Sequence, residues 1–299
     1  LWYIYLGLTG SLVAILNIAG MSFYDALNHA FTTMSTGGFS TYNGSVGVFP
    51  AHIQYIIILF MFIGGTNYTV LYFALNRRFK KVWASDEFRA YLTLILLMCA
   101  VVTALLIFKV QLPAEQSFRE ATFMVISLIT TTGYVVADYT TWGVGLSVFF
   151  FTLLFLGACA GSTSGGIKIV RHLVFFKNSI LEFKRILHPR AVIRIKINQQ
   201  IVPARILTHI LVFLLVYLGI IVIGTVVTSA MGMDFTTAIS ATASAVGNVG
   251  PGIGGVGPSN TFADIPAAAK VFLSFLMILG RLELFTILVL FTPYFWKAT

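Results

Sequence analysis

Thr130-Thr131-Thr132-Gly133-Tyr134 is a polar run that contains a glycine and lies between long apolar stretches. A plain membrane anchor has no use for three adjacent hydroxyls and a glycine. Turned inward, backbone carbonyls and hydroxyls replace the water that a monovalent cation sheds on crossing a bilayer. Glycine permits the positive φ that such a strand needs. The stretch reads as an ion-selectivity filter, and the rest of the chain can be tested against that reading.

Composition agrees. The 299 residues are 58% hydrophobic and only 10% charged, with a mean hydropathy of +0.92, which points to an all-α integral membrane protein. Residues 90–108 carry no charge until the next lysine, and 53–75 and 206–230 are also long enough to span ~30 Å as helices. The opening apolar run from Leu1 lacks a basic flank and a cleavage-like end, so it reads as a spanning helix with sequence expected upstream of it. The net charge of +9 is not a nucleic-acid signature, because most of the basic residues fall in two clusters, with Lys109, Arg119 and Lys270 on the alternate side. One is Arg77, Arg78, Lys80, Lys81 and Arg89; the other runs from Lys168 through Lys177, Lys184, Arg185, Arg190, Arg194 and Lys196 to Arg205. With alternating helices both lie on one side, the cytoplasmic side by the positive-inside rule. Cys99 and Cys159 and the five histidines have no metal-ligand spacing, and both thiols read as packing residues.

The filter motif is one of three. Phe23 precedes Gly38 by 15 residues, Phe118 precedes Gly133 by 15 and Phe235 precedes Gly250 by 15, and each Phe is followed three residues later by Ala26, Ala121 or Ala238. A fixed spacing recurring about a hundred residues apart is a repeat. Each unit reads as spanning helix, short helix, glycine-bearing strand, second helix, with units over 1–85, 86–200 and 201–299. Ser22 and Asp234 are N-cap candidates, Pro113 suits a first turn, and Asp25, Glu115 and Glu120 lie early where the helix dipole favours acids. Short helices of ten to twelve residues must re-enter from the outer face, which aims their negative C-terminal ends at a shared axis. The strands themselves are Ser35-Thr36-Gly37-Gly38, Thr130-Thr131-Thr132-Gly133 and Gly247-Asn248-Val249-Gly250-Pro251. Only the last glycine is common to all three.

Each second helix carries glycine midway, as Gly64-Gly65, Gly157 and Gly280. In the middle unit Gly157-Ala158-Cys159-Ala160-Gly161-Ser162-Thr163-Ser164-Gly165-Gly166 cannot stay helical, and irregular backbone at membrane depth is tolerated only where protein buries it or water reaches it. It is expected to be either a packed hinge or a movable plug beneath the filter, held by little except the closed conformation it makes. Arg281 sits in the last apolar helix at a cost of ~2.5–3.5 kcal/mol on insertion scales. Glu283, two residues away, cannot face it on a helix. The expected partners are the carbonyls of Gly161–Gly166, with a group on another helix as the alternative. Two nucleotide-like motifs fail on context. Gly161 to Lys168 has Ile167 where a phosphate-loop lysine belongs, and Gly250-Pro251-Gly252-Ile253-Gly254-Gly255 lacks its strand and downstream acid. An enzyme is not expected.

Gly161-Ser162-Thr163-Ser164-Gly165-Gly166-Ile167-Lys168, Thr131-Thr132-Gly133-Tyr134, Asn248-Val249-Gly250-Pro251-Gly252 and Gly280-Arg281-Leu282-Glu283 together resemble the Trk/Ktr/HKT superfamily of potassium transporters, with the bacterial TrkH type as the nearest likeness. The resemblance covers essentially the whole chain. It implies pseudo-symmetric repeats of helix, pore helix and loop, and helix, as in potassium channels, four to a pore. The three found here match the second, third and fourth, and the first is not in this chain. By the same resemblance K⁺ binds at the filter residues Ser35, Thr36, Gly37, Gly38, Thr130, Thr131, Thr132, Gly133, Asn248, Val249 and Gly250. The gate would comprise Gly157, Gly161, Ser162, Thr163, Ser164, Gly165, Gly166, Lys168 and Arg281. The resemblance further implies a multi-pass protein of the inner membrane, a homodimer, and a cytoplasmic TrkA-like regulatory subunit that carries the nucleotide (NAD or ATP) itself. The basic cytoplasmic face would meet that partner or anionic lipid. A gated potassium pore is the favoured reading. The alternatives are a K⁺ carrier coupled to H⁺ or Na⁺, for which Glu283 is the main membrane-depth carboxylate, and a non-conducting scaffold.

Overall fold

The computed structural model describes residues 1–191 and 194–296; residues 192–193 and 297–299, which fall within the second and third expected units, lie outside the described ones. The first set of helices is α1 (Trp2–Ile18), α2 (Phe23–Met34), α3 (Ala51–Gly64), α4 (Tyr68–Leu75) and α5 (Phe79–Trp83). The second is α6 (Asp86–Leu105), extended by a π-helical turn over Leu106–Val110, then α7 (Ala114–Ile129), α8 (Val144–Leu153) and α9 (Ile169–Leu187). A small antiparallel hairpin, β1 (Lys196–Ile197) and β2 (Gln200–Ile201), leads to the third set: α10 (Ala204–Ala230), α11 (Phe235–Gly247), α12 (Ala267–Arg281), α13 (Leu284–Leu288) and α14 (Pro293–Trp296). The hairpin straddles residue 200, and α10 starts just after Pro203.

The short helices begin where their caps dictate. The Ser22 hydroxyl accepts from the Asp25 amide at 3.1 Å, and the Asp234 carboxylate accepts from the Thr237 amide at 3.0 Å. These side chains satisfy donors that the first helical turn leaves unpaired. α2 and α11, of 12 and 13 residues, start at their Phe; α7, of 16, starts four residues before Phe118 and exceeds the expected ten to twelve. That longer start puts Glu120 beyond the first turn of α7, buried and accepting a hydrogen bond from Gln116 at 2.8 Å, so the helix dipole does not account for it. From Ala121 to Ile129 and from Ala238 to Gly247 nearly every residue of α7 and α11 is buried. Helices buried all round occupy the centre of a fold, and these two do.

α6 with its π turn (25 residues, mean hydropathy 2.7) and α10 (27 residues, mean hydropathy 3.0) are long and apolar enough to cross a membrane. At 1.5 Å per residue α10 covers ~40 Å, more than the hydrocarbon thickness. Residues 53–75 do not make one straight span, as the hydropathy suggests; α3 and α4 meet at 108°, and α12 turns by 113° into α13 and the turn that follows it. The breaks have local causes. In the first, Gly64-Gly65-Thr66 ends the helix and Asn67 caps the next one, its side-chain oxygen 2.7 Å from the Thr69 amide. In the second, Glu283 takes a left-handed φ of 63° immediately before α13. All three second helices are therefore broken, and the middle one differs only in the length of its break. Cys99 and Cys159 are buried and unpaired, in keeping with packing roles.

The hairpin docks on the start of α6. Asp86 accepts from Lys177 at 3.0 Å and from the Asn198 amide at 3.1 Å, and its own amide donates to the Asn198 side chain at 2.7 Å. Lys177 also donates to the Lys196 carbonyl at 3.1 Å. The two basic stretches of the sequence thus meet on one end of the molecule.

Candidate ion pathway

The three glycine-bearing strands are built alike. Thr36, Thr131 and Asn248 are left-handed, with φ of 52°, 53° and 53°, and two residues later Gly38, Gly133 and Gly250 have φ of +68°, +84° and +113°. A non-glycine residue in that region costs ~1–2 kcal/mol, and such strain collects at functional sites. The strands also press on one another. A β-carbon on Gly38 would fall 1.8 Å from the Thr132 carbonyl oxygen, and one on Gly133 would fall 2.0 Å from that of Val249. Glycine is thus required at both positions twice over, by φ and by the neighbouring carbonyl.

A hydroxyl six residues before each glycine braces its strand, a feature that sequence reasoning missed. The Thr32 carbonyl accepts from the Gly37 and Gly38 amides at 2.7 and 3.3 Å, the Ser127 carbonyl from Thr132 and Gly133 at 2.9 and 3.3 Å, and the Ser244 carbonyl from Val249 at 3.0 Å. The side chains then reach the glycine or the residue after it: Thr32 donates to the Phe39 carbonyl at 2.8 Å, Ser127 to that of Tyr134 at 2.7 Å, and Ser244 to that of Gly250 itself at 2.8 Å. The signal was available, since each hydroxyl lies nine residues after the repeat Phe. Tyr134, fully buried, links units by pairing its hydroxyl with Thr32 at 2.5 Å and donating to the His29 carbonyl at 3.2 Å. Thr130 closes α7; its hydroxyl donates to the Ile126 carbonyl at 2.7 Å and pairs with that of Thr132 at 2.8 Å. Asn248 donates to the Met277 carbonyl of α12 at 3.0 Å.

The segment 157–168 lies against the inner ends of all three strands. The Thr163 hydroxyl donates to the Met34 carbonyl at 2.9 Å, while the Thr163 carbonyl accepts from Thr36 at 2.9 Å. The Gly165 amide donates to the Thr131 hydroxyl at 2.6 Å, and a β-carbon on Gly165 would come 2.6 Å from the Gly247 carbonyl oxygen. The segment is also closed on itself by Gly157 donating to Ile167 at 2.8 Å and Ile169 to Ala158 at 3.1 Å. Far from being loosely held, it is pinned by side chains on several other elements. Lys168 reaches back to the Ser164 carbonyl and, at 2.9 Å, to the Ser164 hydroxyl.

Below the segment is a cavity of about 390 Å³ lined by Gly161–Gly166 together with Lys168, Arg171, Arg281, Glu283 and Tyr217. Arg281 does face this cavity, but it does not bond to Gly161–Gly166; its guanidinium donates to the Ser35 carbonyl at the end of α2, 3.3 Å away. The bend after α12 separates Arg281 from Glu283 and sends the carboxylate to Arg171 at 2.9 Å. The Arg171 guanidinium also lies 3.9 Å from the centre of the Phe213 ring, a cation–π contact. Arg171 and Glu283 neutralise each other, leaving Lys168 and Arg281, both bound to neutral oxygens, to set a positive sign. On the other side of the strands a cavity of about 550 Å³ is lined by Gly38, Phe39, Gly133, Asp138, Ser259 and other loop residues, with Asp138 its one charged lining residue among those described. Burial raises the Asp138 carboxyl, but hydrogen bonds from Thr140 and Ser259 outweigh it and hold the group below the usual carboxylate range. The cavity on the Asp138 side, the outer one in the expected orientation, is therefore negative, and that on the Arg281 side, the inner one, positive.

Repeated units of apolar helix, short central helix, glycine-turned strand and broken second helix define a helix-rich protein of membrane type. A family model described as "TrkH: Cation transport protein" matches residues 8–297, and the chain belongs to that family. The Trk system potassium uptake protein TrkH of Salmonella typhimurium is 38% identical over 300 residues, covering 99% of this chain and 62% of that protein. The Trk system potassium uptake protein TrkG of Escherichia coli K12 is 32% identical over 300 residues, covering 100% of this chain and 61% of its own length. The crystal structure of the potassium transporter TrkH from Vibrio parahaemolyticus matches with a TM-score of 0.92 at 36% identity, over 99% of this chain and 64% of that one. The chain thus spans less than two thirds of the length of these relatives.

Proposed function

We propose that the chain forms most of a gated, channel-like pore for potassium uptake across the inner membrane. The observation that carries this is the threefold recurrence of a left-handed residue, a positive-φ glycine two residues on and a bracing hydroxyl six residues back, at the C-terminal ends of α2, α7 and α11. Such ends favour a cation, and strands of this kind supply the oxygens that replace its hydration shell. In this reading Ser35–Gly38, Thr130–Gly133 and Asn248–Gly250 hold K⁺, Gly157–Gly166 with Lys168 closes the path from within, and Arg281 opposes cation entry.

Residues 1–85, 86–200 and 201–299 correspond to the second, third and fourth repeats of the family. A cavity of about 660 Å³, lined by all three strands and by Leu273, Ser274 and Met277 of α12, is where a further unit would complete the ring. The stripe of exposed Phe176, Ile180, Phe183 and Leu187 on α9 fits a homodimer. The joined basic stretches fit a TrkA-like nucleotide-binding subunit or anionic lipid. The test is reconstitution of the intact transporter in liposomes and measurement of reversal potentials in mixed K⁺ and Na⁺. A K⁺-selective current sensitive to substitution of Gly38 and Gly133 is expected; equal permeability to both ions refutes the filter.

A further inference from the structure

Glu87 has no role in the pathway described so far, yet it is a carboxylate 8% exposed in an apolar helix. Its Oε1 accepts from the Ala160 amide at 2.6 Å, and the carboxylate also takes a hydrogen bond from the Val170 backbone. Ala160 immediately precedes Gly161–Gly166, and Val170 lies in the first turn of α9 just after it. One carboxylate thus ties together both ends of the segment beneath the strands. At Val170 it also meets the start of α9, whose own cap position, Lys168, offers no side-chain cap and whose dipole favours an acid there.

The same residue is gripped through its other peptide group. Asn67, in the bend between α3 and α4, donates to the Ala160 carbonyl at 2.6 Å. Around it, the Cys159 amide donates to the Gly65 carbonyl at 3.1 Å and the Tyr68 amide to the Gly161 carbonyl at 3.3 Å. The segment therefore has a fixed end, clamped by Glu87 of the second set and Asn67 of the first, followed by a glycine- and serine-rich stretch. Asp86, next to Glu87 on α6, is the residue on which the hairpin docks.

We infer that Glu87 and Asn67 are positioning residues for the gate: together they fix Ala160, by the peptide groups on its two sides, as the pivot and hold Gly161–Gly166 under the filter strands. This rests on the proposed reading of that segment as a gate. Buried hydrogen bonds to charged groups are strong, and leaving one partner unsatisfied is costly. Releasing either clamp shifts the segment away from its closed position without altering the strands.

Asn67→Asp is the discriminating variant, because it keeps the oxygen that caps Thr69 while it loses the donor to Ala160 and sets a carboxylate oxygen against that carbonyl. In the intact transporter in liposomes, Asn67→Asp and Glu87→Ala are each expected to raise basal rubidium uptake roughly ten- to hundred-fold, with the K⁺/Na⁺ permeability ratio unchanged. A thiol reagent applied to a Ser162→Cys background should label faster in both by a similar factor. The double variant should not exceed the larger single effect, since both act on one residue, Ala160. Parental uptake and labelling in Asn67→Asp, or multiplied effects in the double variant, overturn the inference. If the parent takes up no rubidium but labelling still follows the expected order, the transport reading fails and the clamp stands.

Discussion

Arg281→Ala should increase K⁺ flux, and the size of the increase follows from the charges around the inner cavity. The guanidinium is held 3.3 Å from the Ser35 carbonyl, at the end of a helix whose dipole would otherwise favour a cation. For the Coulomb estimate a cation in the same cavity is taken at about 7 Å from that charge. At an effective dielectric near 20 the repulsion is roughly 2.4 kcal/mol, or about a fifty-fold penalty on occupancy. Arg171 contributes little because Glu283 neutralises it at 2.9 Å, so removing Arg281 leaves Lys168 as the main remaining positive charge. An increase of ten- to fifty-fold is therefore expected on the same Coulomb estimate. Rubidium uptake into liposomes measures it, with reversal potentials to show that selectivity is retained. Arg281→Gln keeps a donor for Ser35 and loses the charge, so it should behave like alanine if repulsion is the cause. Arg281→Lys should stay near the parent in flux. A folded Arg281→Ala protein with unchanged or lower flux, or an Arg281→Gln protein that stays at the parental level, would refute the electrostatic argument.

Other positions give independent readings of the same pathway. Gly133→Ser places a side chain where φ is +84° and the Val249 oxygen is 2.0 Å away, so the strand must shift; reversal potentials should show a lower K⁺/Na⁺ ratio, and an unchanged ratio argues against a filter there. Thr131→Val removes the acceptor for the Gly165 amide, leaving a buried donor unsatisfied at ~1–3 kcal/mol; basal uptake should rise, whereas Thr131→Ser should stay near the parent. Removing two residues from Gly161–Gly166 should also raise uptake, and a fall to background in folded protein would make the segment a support and not a plug. Asp138→Asn should lower uptake most at low ionic strength, where charge in the outer cavity is least screened. Because the Asp138 carboxyl titrates below the usual carboxylate range, it stays ionised as pH falls to about 5, and uptake should not change over that interval on its account.

Much of the fold was legible because the repeat is written at fixed spacing. Phe23, Phe118 and Phe235 mark the short helices and Gly38, Gly133 and Gly250 their strands, and Ser22 and Asp234 cap where their side chains require. Local rules suffice for these features, since a cap, a helical period or a positive φ is decided within a few residues. The bracing hydroxyls Thr32, Ser127 and Ser244 were equally periodic but lay inside apolar helices, where a hydroxyl reads as filler until its partner carbonyl is known.

Tertiary structure decided the partnerships. Arg281 was expected to hold Gly161–Gly166, but at the end of α12 it meets Ser35, 246 residues away in sequence, and the 113° turn that follows leaves Glu283 to Arg171. Likewise Glu87 and Asn67 are unremarked in the sequence, one a charge near a helix start and the other a cap. They converge on Ala160 only because two helices break where they do. Hydropathy measures whether a stretch prefers lipid, and it ran straight through the break at Gly64–Asn67 since the residues on both sides are apolar. The sequence alone determined which segments are apolar and where the strands turn; the packing of three broken helices around α7 and α11 determined which polar groups meet, because hydrogen bonds between distant residues depend on angles that no local pattern encodes.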